Sequence, residues 1–374
     1  MHHNHHFWWR FFPKKELTQI YISAAIRSFA LSLIAIFVPL YLYVERGYSM
    51  EQTLYFFIFY SIIFAVTTPL AAKFVAKFGT KHSVLLSVPF YLAFILSLYS
   101  LPYYPIPLTV VSGFLGLSLS FYWMGMHLAF YHASDHDHRG EEIGKRTGVS
   151  ILATAVGPLF GGFLISTSGF GVVFILVAGL LIFSSLILFL SKENHYKFNF
   201  SIRSLVNRRH WQNSLFFVSR GTRGIAGGVI WPLFIFSILG NYFSLGVIGT
   251  TMAGLSAVLI WMTGKFSDRV DKRKIIRWLV IPEALSWVLR ALVVTTTHVF
   301  GATIFGAVVY GIWESPIGAL EYDKAKRNIA EYFVTREIFI CLGRVLLLTF
   351  VLMADSLSGG LIFHSIISLA AFLF

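Results

Sequence analysis

Long apolar stretches recur through this chain, and its basic residues collect in every second gap between them. A helix crossing the hydrocarbon core of a bilayer needs roughly 20 apolar residues. Twelve stretches meet that length, at about 17–44, 52–76, 83–101, 106–131, 147–167, 170–191, 211–239, 244–264, 275–297, 299–320, 333–353 and 357–374. Little more than Ser168, Gly169 and Phe170 parts the fifth from the sixth, and a charged linker, 192–210, parts the sixth from the seventh. Only 13% of residues are charged, against about 25% in a soluble domain, and mean hydropathy is +0.72.

The net charge of +13 would suit a nucleic-acid partner, but its placement argues against one. Lys73, Lys77 and Lys81 share one gap, Arg139, Lys145 and Arg146 another, and Lys265 to Arg277 a third; the opposite gaps hold Arg46 alone. Cytoplasmic loops carry the excess of Lys and Arg. Both termini are therefore expected in the cytoplasm, and the partner is the lipid bilayer, most simply the cytoplasmic membrane, with no nucleic acid. The first residues lack a cleavage-like site, so the first helix reads as an uncleaved anchor. The aromatic run Phe7 to Phe12 suits the interface. The chain stops at Phe374 inside an apolar run, which suggests a truncated C-terminus.

The two halves echo one another. Arg27 precedes Pro39 by twelve residues and Gly47 follows Pro39 by eight; Arg220, Pro232 and Gly240 repeat that spacing. This is the trace of a duplicated six-helix unit, whose halves pack as two bundles around a site near the midplane. The expected architecture is all-α: twelve transmembrane helices in two pseudo-symmetric six-helix bundles, 1–191 and 211–374, joined by 192–210. A monomer is expected.

Residues 264–274 run Gly-Lys-Phe-Ser-Asp-Arg-Val-Asp-Lys-Arg-Lys between two apolar segments. Gly264, Asp268, Arg269, Lys272 and Arg273 fit G-x-L-x-D-R-x-G-R-K, with Asp271 replacing the second Gly. The pattern resembles the cytoplasmic loop signature of the major facilitator superfamily. That resemblance implies a secondary transporter working by alternating access, with this loop as a cytoplasmic latch. Gly144, Ala153, Gly157, Pro158, Gly161 and Gly162 resemble the fifth-helix motif of members that export by antiport. Two positions depart from the family pattern: Ala76 stands where the first-half loop signature has Asp, and Ser112 stands where the fourth helix of drug/proton antiporters has Arg, which weakens proton-coupled drug export.

An ionisable side chain at bilayer depth costs about 2.5–3.5 kcal/mol on insertion scales, so each one needs a reason. Arg27 and Arg220 sit near mid-helix at repeat-equivalent positions, and Arg223 lies one turn from Arg220. They either face one central cavity and bind substrate, resembling organophosphate exchangers, or pair with Glu283, Glu314 or Glu337. Glu314, beside Trp313 and two residues before Pro316, is either a proton site or a static partner of Arg344 or Arg290. Glu283 and Arg290 flank Trp287 and suit pairing. His127 is either a proton relay or a satisfied buried His. Arg336 and Glu337 stand near an expected helix start and should snorkel to the interface.

His2, His3, His5 and His6, and the run His132 to His138, lack a closed zinc spacing, so no metal is expected. The single Cys341 excludes an intrachain disulfide. No nucleotide-binding Gly loop or catalytic triad is visible, so neither a cofactor nor an enzyme is expected. The reading is a transporter of a small organic solute, an organic anion by the excess of arginine, with protons or a counter-anion as coupling partners. A proton-coupled drug or metabolite exporter and a non-transporting sensor of the same fold are the alternatives.

Overall fold

The computed structural model describes residues 15–133, 139–189, 211–267, 271–325 and 329–374. Every described element is helical, as a chain in hydrocarbon requires, because its backbone groups must bond within their own segment. The α-helices are α1 Lys15–Ser32, α2 Val38–Leu40, α3 Met50–Phe78, α4 Thr80–Ser100, α5 Leu108–Ala133, α6 Arg139–Phe189 and α7 Trp211–Ile225. They continue as α8 Trp231–Leu239, α9 Tyr242–Ser267, α10 Lys272–Ala291, α11 Thr296–Lys324, α12 Ile329–Ala354 and α13 Leu357–Ser368. Wide π turns extend α2 over Tyr41–Glu45 and join α7 to α8 over Ala226–Ile230.

Each apolar stretch corresponds to helix. The first is α1, α2 and their π turn, and the seventh is α7 and α8 with theirs. The fifth and sixth form α6, broken at Gly169 by a φ of 79°. Eight helical runs among the described residues are long and apolar enough to cross a membrane on their own. Helix α10 is denied that status by its charges, from Lys272, Arg273, Lys274 and Arg277 at one end to Glu283 and Arg290 further along.

Local chemistry sets the boundaries. Ser49 and Gln52 form a reciprocal capping box at the start of α3. Asp271 caps α10, accepting from the Arg273 amide at 3.0 Å, so the residue that replaces the signature Gly has a structural task. The repeat-related Gly47 and Gly240 adopt φ of 69° and 71°, a left-handed conformation that suits a residue without Cβ.

The packing diagram also repeats. In the first half α1 lies on α6, α3 and α4 on α5, and α4 on α6. In the second half α7 lies on α12, α9 and α10 on α11, and α10 on α13. The halves meet where α6 packs on α9 and α3 on α12. The glycines of the fifth apolar stretch make these contacts close. A Cβ on Gly157 would strike the Ser32 side chain, and one on Gly161 the Leu33 carbonyl; one on Gly162 would meet the Tyr242 carbonyl of α9. The second half builds its α7–α12 contact likewise, with Gly221 against the Ile340 carbonyl and Gly343 against that of Val218. Small residues let helix backbones approach in a membrane, where packing replaces the hydrophobic drive.

Candidate functional site: a charged cavity between the halves

A cavity of about 370 Å³ lies where the halves meet. Trp123 on α5 contributes from the first half. Arg220, Arg223 and Gly224 of α7, Gly227 of its π turn, Met252 of α9, Trp287 of α10, Tyr310 of α11, and Arg336, Glu337, Ile340 and Arg344 of α12 complete the wall.

Helical spacing assembles the charges, since residues one or two turns apart share a face. Arg220 and Arg223 are one turn apart, Glu314 and Glu321 two turns, and Glu337 and Arg344 two turns. Arg220 forks onto Glu314, with Nη1–Oε2 at 2.6 Å and Nη2–Oε1 at 2.7 Å, the bidentate geometry that only a guanidinium offers a carboxylate. Its Nε stands 4.0 Å from Glu321, which accepts from Arg336 Nε at 2.9 Å. Arg336 Nη1 donates to Glu337. Glu337 Oε1 lies 3.2 Å from His127 Nε2, and His127 Nδ1 lies 3.1 Å from the Tyr322 hydroxyl. Arg223 stands 3.0 Å from Glu283 Oε1, to which Trp287 Nε1 donates at 2.8 Å.

Two arginines of the second half stand outside this pairing. Arg290 is fully buried, with its guanidinium 4.2 Å from the Trp287 ring in space that a Cβ on Gly306 would fill. Arg344 lies on the cavity wall, 5.5 Å from the Tyr60 ring and 5.3 Å from Phe64. Cys341 Sγ is 4.0 Å from its Nη1, and among the described residues no carboxylate makes a salt bridge with it. In and beside the cavity, Arg220, Arg223, Arg290, Arg336 and Arg344 thus stand against Glu283, Glu314, Glu321 and Glu337. One positive charge is in excess where the low dielectric makes each charge matter.

Several expectations need correction. Arg27 does not share the cavity with Arg220: it is 2% exposed and packs over Tyr122 at 4.1 Å and Tyr91 at 5.6 Å. Its three guanidinium nitrogens have no hydrogen-bond partner among the described residues. Trp313 is 3% exposed and belongs to a core with Phe216, Ile276 and Ile317 rather than to the cavity wall. Glu314 pairs with Arg220 and not with Arg344 or Arg290. Arg336 and Glu337 do not snorkel, because α12 starts at Ile329 and places them two turns inside it, in the buried network.

Of the loop signature, Lys272 begins α10 and pairs with Asp323 at 3.1 Å, and Arg273 follows in the first turn. Gly264 lies near the end of α9; Asp268 and Arg269 fall outside the described residues. Gly157, Pro158, Gly161 and Gly162 lie in α6 at its contacts with α1 and α9. Gly144 lies in the same helix, in a part whose surroundings are not described. The N-terminal histidines and Asp135 to His138 also fall outside the described residues. Among the described residues no cluster of His, Cys, Asp and Glu could hold a metal ion. Sequence reasoning missed Glu321, which lies just beyond the expected end of its span; its spacing of seven from Glu314 was the available signal.

Residues 20–346 match the sequence profile of the Major Facilitator Superfamily. The chain is also similar to the uncharacterized protein YqgE of Bacillus subtilis, 24% identical over 356 residues that cover 88% of this chain and 80% of the relative. With a profile match over most of its length and a helical structure rich in apolar spans, this chain belongs to the major facilitator superfamily, whose members are membrane transporters and not enzymes.

Proposed function

We propose that this protein is a secondary active transporter of a small organic anion, working by alternating access between two six-helix bundles, 1–191 and 211–374. In this reading twelve spans cross the cytoplasmic membrane with both termini in the cytoplasm, and the unit is a monomer. The alternation of basic gaps supports the topology, and the repeated packing diagram supports the two bundles. The junctions α6–α9 and α3–α12 are the surfaces along which the bundles rock, and the loop 264–274 is the cytoplasmic latch.

One observation carries the substrate class: Arg344 is a cavity-wall arginine with aromatic neighbours and no carboxylate salt bridge among the described residues. A monovalent anion there would neutralise the excess charge of the network. Trp123, Trp287 and Tyr310 offer apolar faces to the body of an organic solute. About 370 Å³ holds roughly a dozen waters at ~30 Å³ each, a fit for a small molecule. Gly157, Gly161 and Gly162, which resemble those of exporters, also serve close helix contact.

The test is flux of labelled organic anions and cations in proteoliposomes. Arg344→Gln should cut anion flux at least tenfold, since a charge-assisted hydrogen bond contributes about 1.5–3 kcal/mol, while the protein stays folded. Normal anion flux in a folded Arg344→Gln protein, or transport of cations in preference to anions, would remove this reading.

A further inference from the structure

The first half enters the buried network through His127. Its ring lies 4.2 Å from Phe333 at an interplanar angle of 8° and 5.4 Å from Trp123 at 25°, so its plane is fixed. Both nitrogens are committed across the junction: Nδ1 to Tyr322 on α11 and Nε2 to Glu337 on α12, with Arg336 Nη1 3.5 Å from the same Nε2. His127 is 5% exposed and Glu337 2%. These are polar ties between an ionisable group of one half and ionisable groups of the other, and one of them ends on the cavity wall.

We propose that His127 and Glu337 together form a proton-binding site of the transport cycle, and that a proton there and an organic anion at Arg344 bind cooperatively and cross together. This rests on the organic-anion reading above. With the imidazole neutral and the carboxylate ionised, the pair carries one negative charge. A proton taken from water on one side, on either member, brings the pair to zero. Glu337 and Arg344 are two turns apart on one face of α12 and both line the cavity. Removing the negative charge removes a repulsion that an incoming anion would feel and leaves Arg336 with one carboxylate fewer. Binding of either ligand therefore favours binding of the other, by the same factor in each direction. The bridge that changes is also one that ties the halves, so its occupancy is felt at the junction that must open. On the far side the anion and the proton leave to water and the bridge reforms.

The groups that set the response surround the pair from every side. Arg336, Cys341 and Arg344 come from α12, Tyr322 and Glu321 from α11, Arg220 from α7 and Tyr60 from α3. The His127 contact gives an arriving proton a second place to sit.

The experiment measures benzoate binding to the purified full chain by tryptophan fluorescence, at about pH 6 and about pH 8, values that bracket the ordinary titration of histidine. Proton uptake on benzoate addition is followed in parallel in weakly buffered detergent solution. Expected are at least tenfold tighter binding at the lower pH and close to one proton taken up per benzoate bound. Glu337→Gln should bind benzoate with less than a twofold difference between the two pH values and take up no proton; His127→Gln should reduce the uptake. Benzoate binding to the wild type with no proton uptake and no pH dependence would overturn the coupling site and leave the anion reading standing. Failure of benzoate and octanoate to bind at either pH would overturn the anion reading and this site with it. If Glu337→Gln does not fold, the wild-type proton stoichiometry decides the question by itself.

Discussion

Arg27 and Arg220 occupy equivalent places in the sequence repeat, each twelve residues before a proline, yet they live in opposite environments. Arg220 is forked onto Glu314 at 2.6 and 2.7 Å, with Glu321 and Arg336 behind it. Arg27 has two tyrosine faces and no hydrogen-bond partner among the described residues. The two halves are therefore alike in their helix contacts and different in their charge. The second half places Glu283, Glu314, Glu321 and Glu337 with Arg220, Arg223 and Arg336 in one paired network, and the first half faces the cavity with Trp123 and enters the network with His127. In a medium where an unpaired charge is costly, a dense network on one side fixes that side's internal geometry. Under the alternating-access proposal, the other half is the part that moves against it.

The largest break in this comparison should come from Arg220→Met. It strands Glu314 in a part-buried site, and loss of one partner of a buried pair costs up to about 3–5 kcal/mol. Thermal unfolding in detergent should show a large drop in Tm, most of it recovered when Glu314→Gln is added. An additive double mutant would mean that the pair does not act as a unit.

Next come the backbone contacts, where the halves should behave alike. Gly161→Ala drives a methyl into the Leu33 carbonyl and Gly343→Ala one into that of Val218. Each overpacking should cost about 1–3 kcal/mol. Stability measurements that find one tolerated and the other not would show that the two helix contacts are not equivalent.

Arg27→Met sharpens the contrast with Arg220. The cation–π contacts are worth about 0.5–2 kcal/mol, less than the desolvation of a guanidinium without a hydrogen-bonded counterion, which is several kcal/mol. The same substitution should thus leave stability unchanged or raise it by about 1–2 kcal/mol. A Tm loss as large as that of Arg220→Met would mean that Arg27 has an anionic partner in the membrane.

The smallest effect belongs to Lys272→Gln. The pair with Asp323 is partly exposed, and such pairs contribute under about 1 kcal/mol. Stability should scarcely change while the transport rate falls, if the α10 start belongs to the latch. An unchanged rate would take Lys272 out of it.

The sequence by itself determined the all-helical membrane class, since apolar runs of this length admit no other way to satisfy the backbone in lipid. Spacing alone also pointed to the duplication, and Gly47 and Gly240 share one left-handed conformation because each ends its helical stretch eight residues after the repeat proline. The charged residues of the site were legible as anomalies in apolar surroundings, but their partners were not. Helical periodicity places Glu314 with Glu321, and Glu337 with Arg344, on shared faces; it does not say which other helix those faces meet. The choice of Glu314 for Arg220, the aromatic box around Arg27, the withdrawal of Trp313 into the core and the bridge from His127 to Glu337 come from helices that lie far apart in the chain. Only tertiary packing decided them, because a buried charge takes whichever partner the helix contacts bring within about 3 Å, and that distance is set by packing across the fold and not by neighbours in sequence.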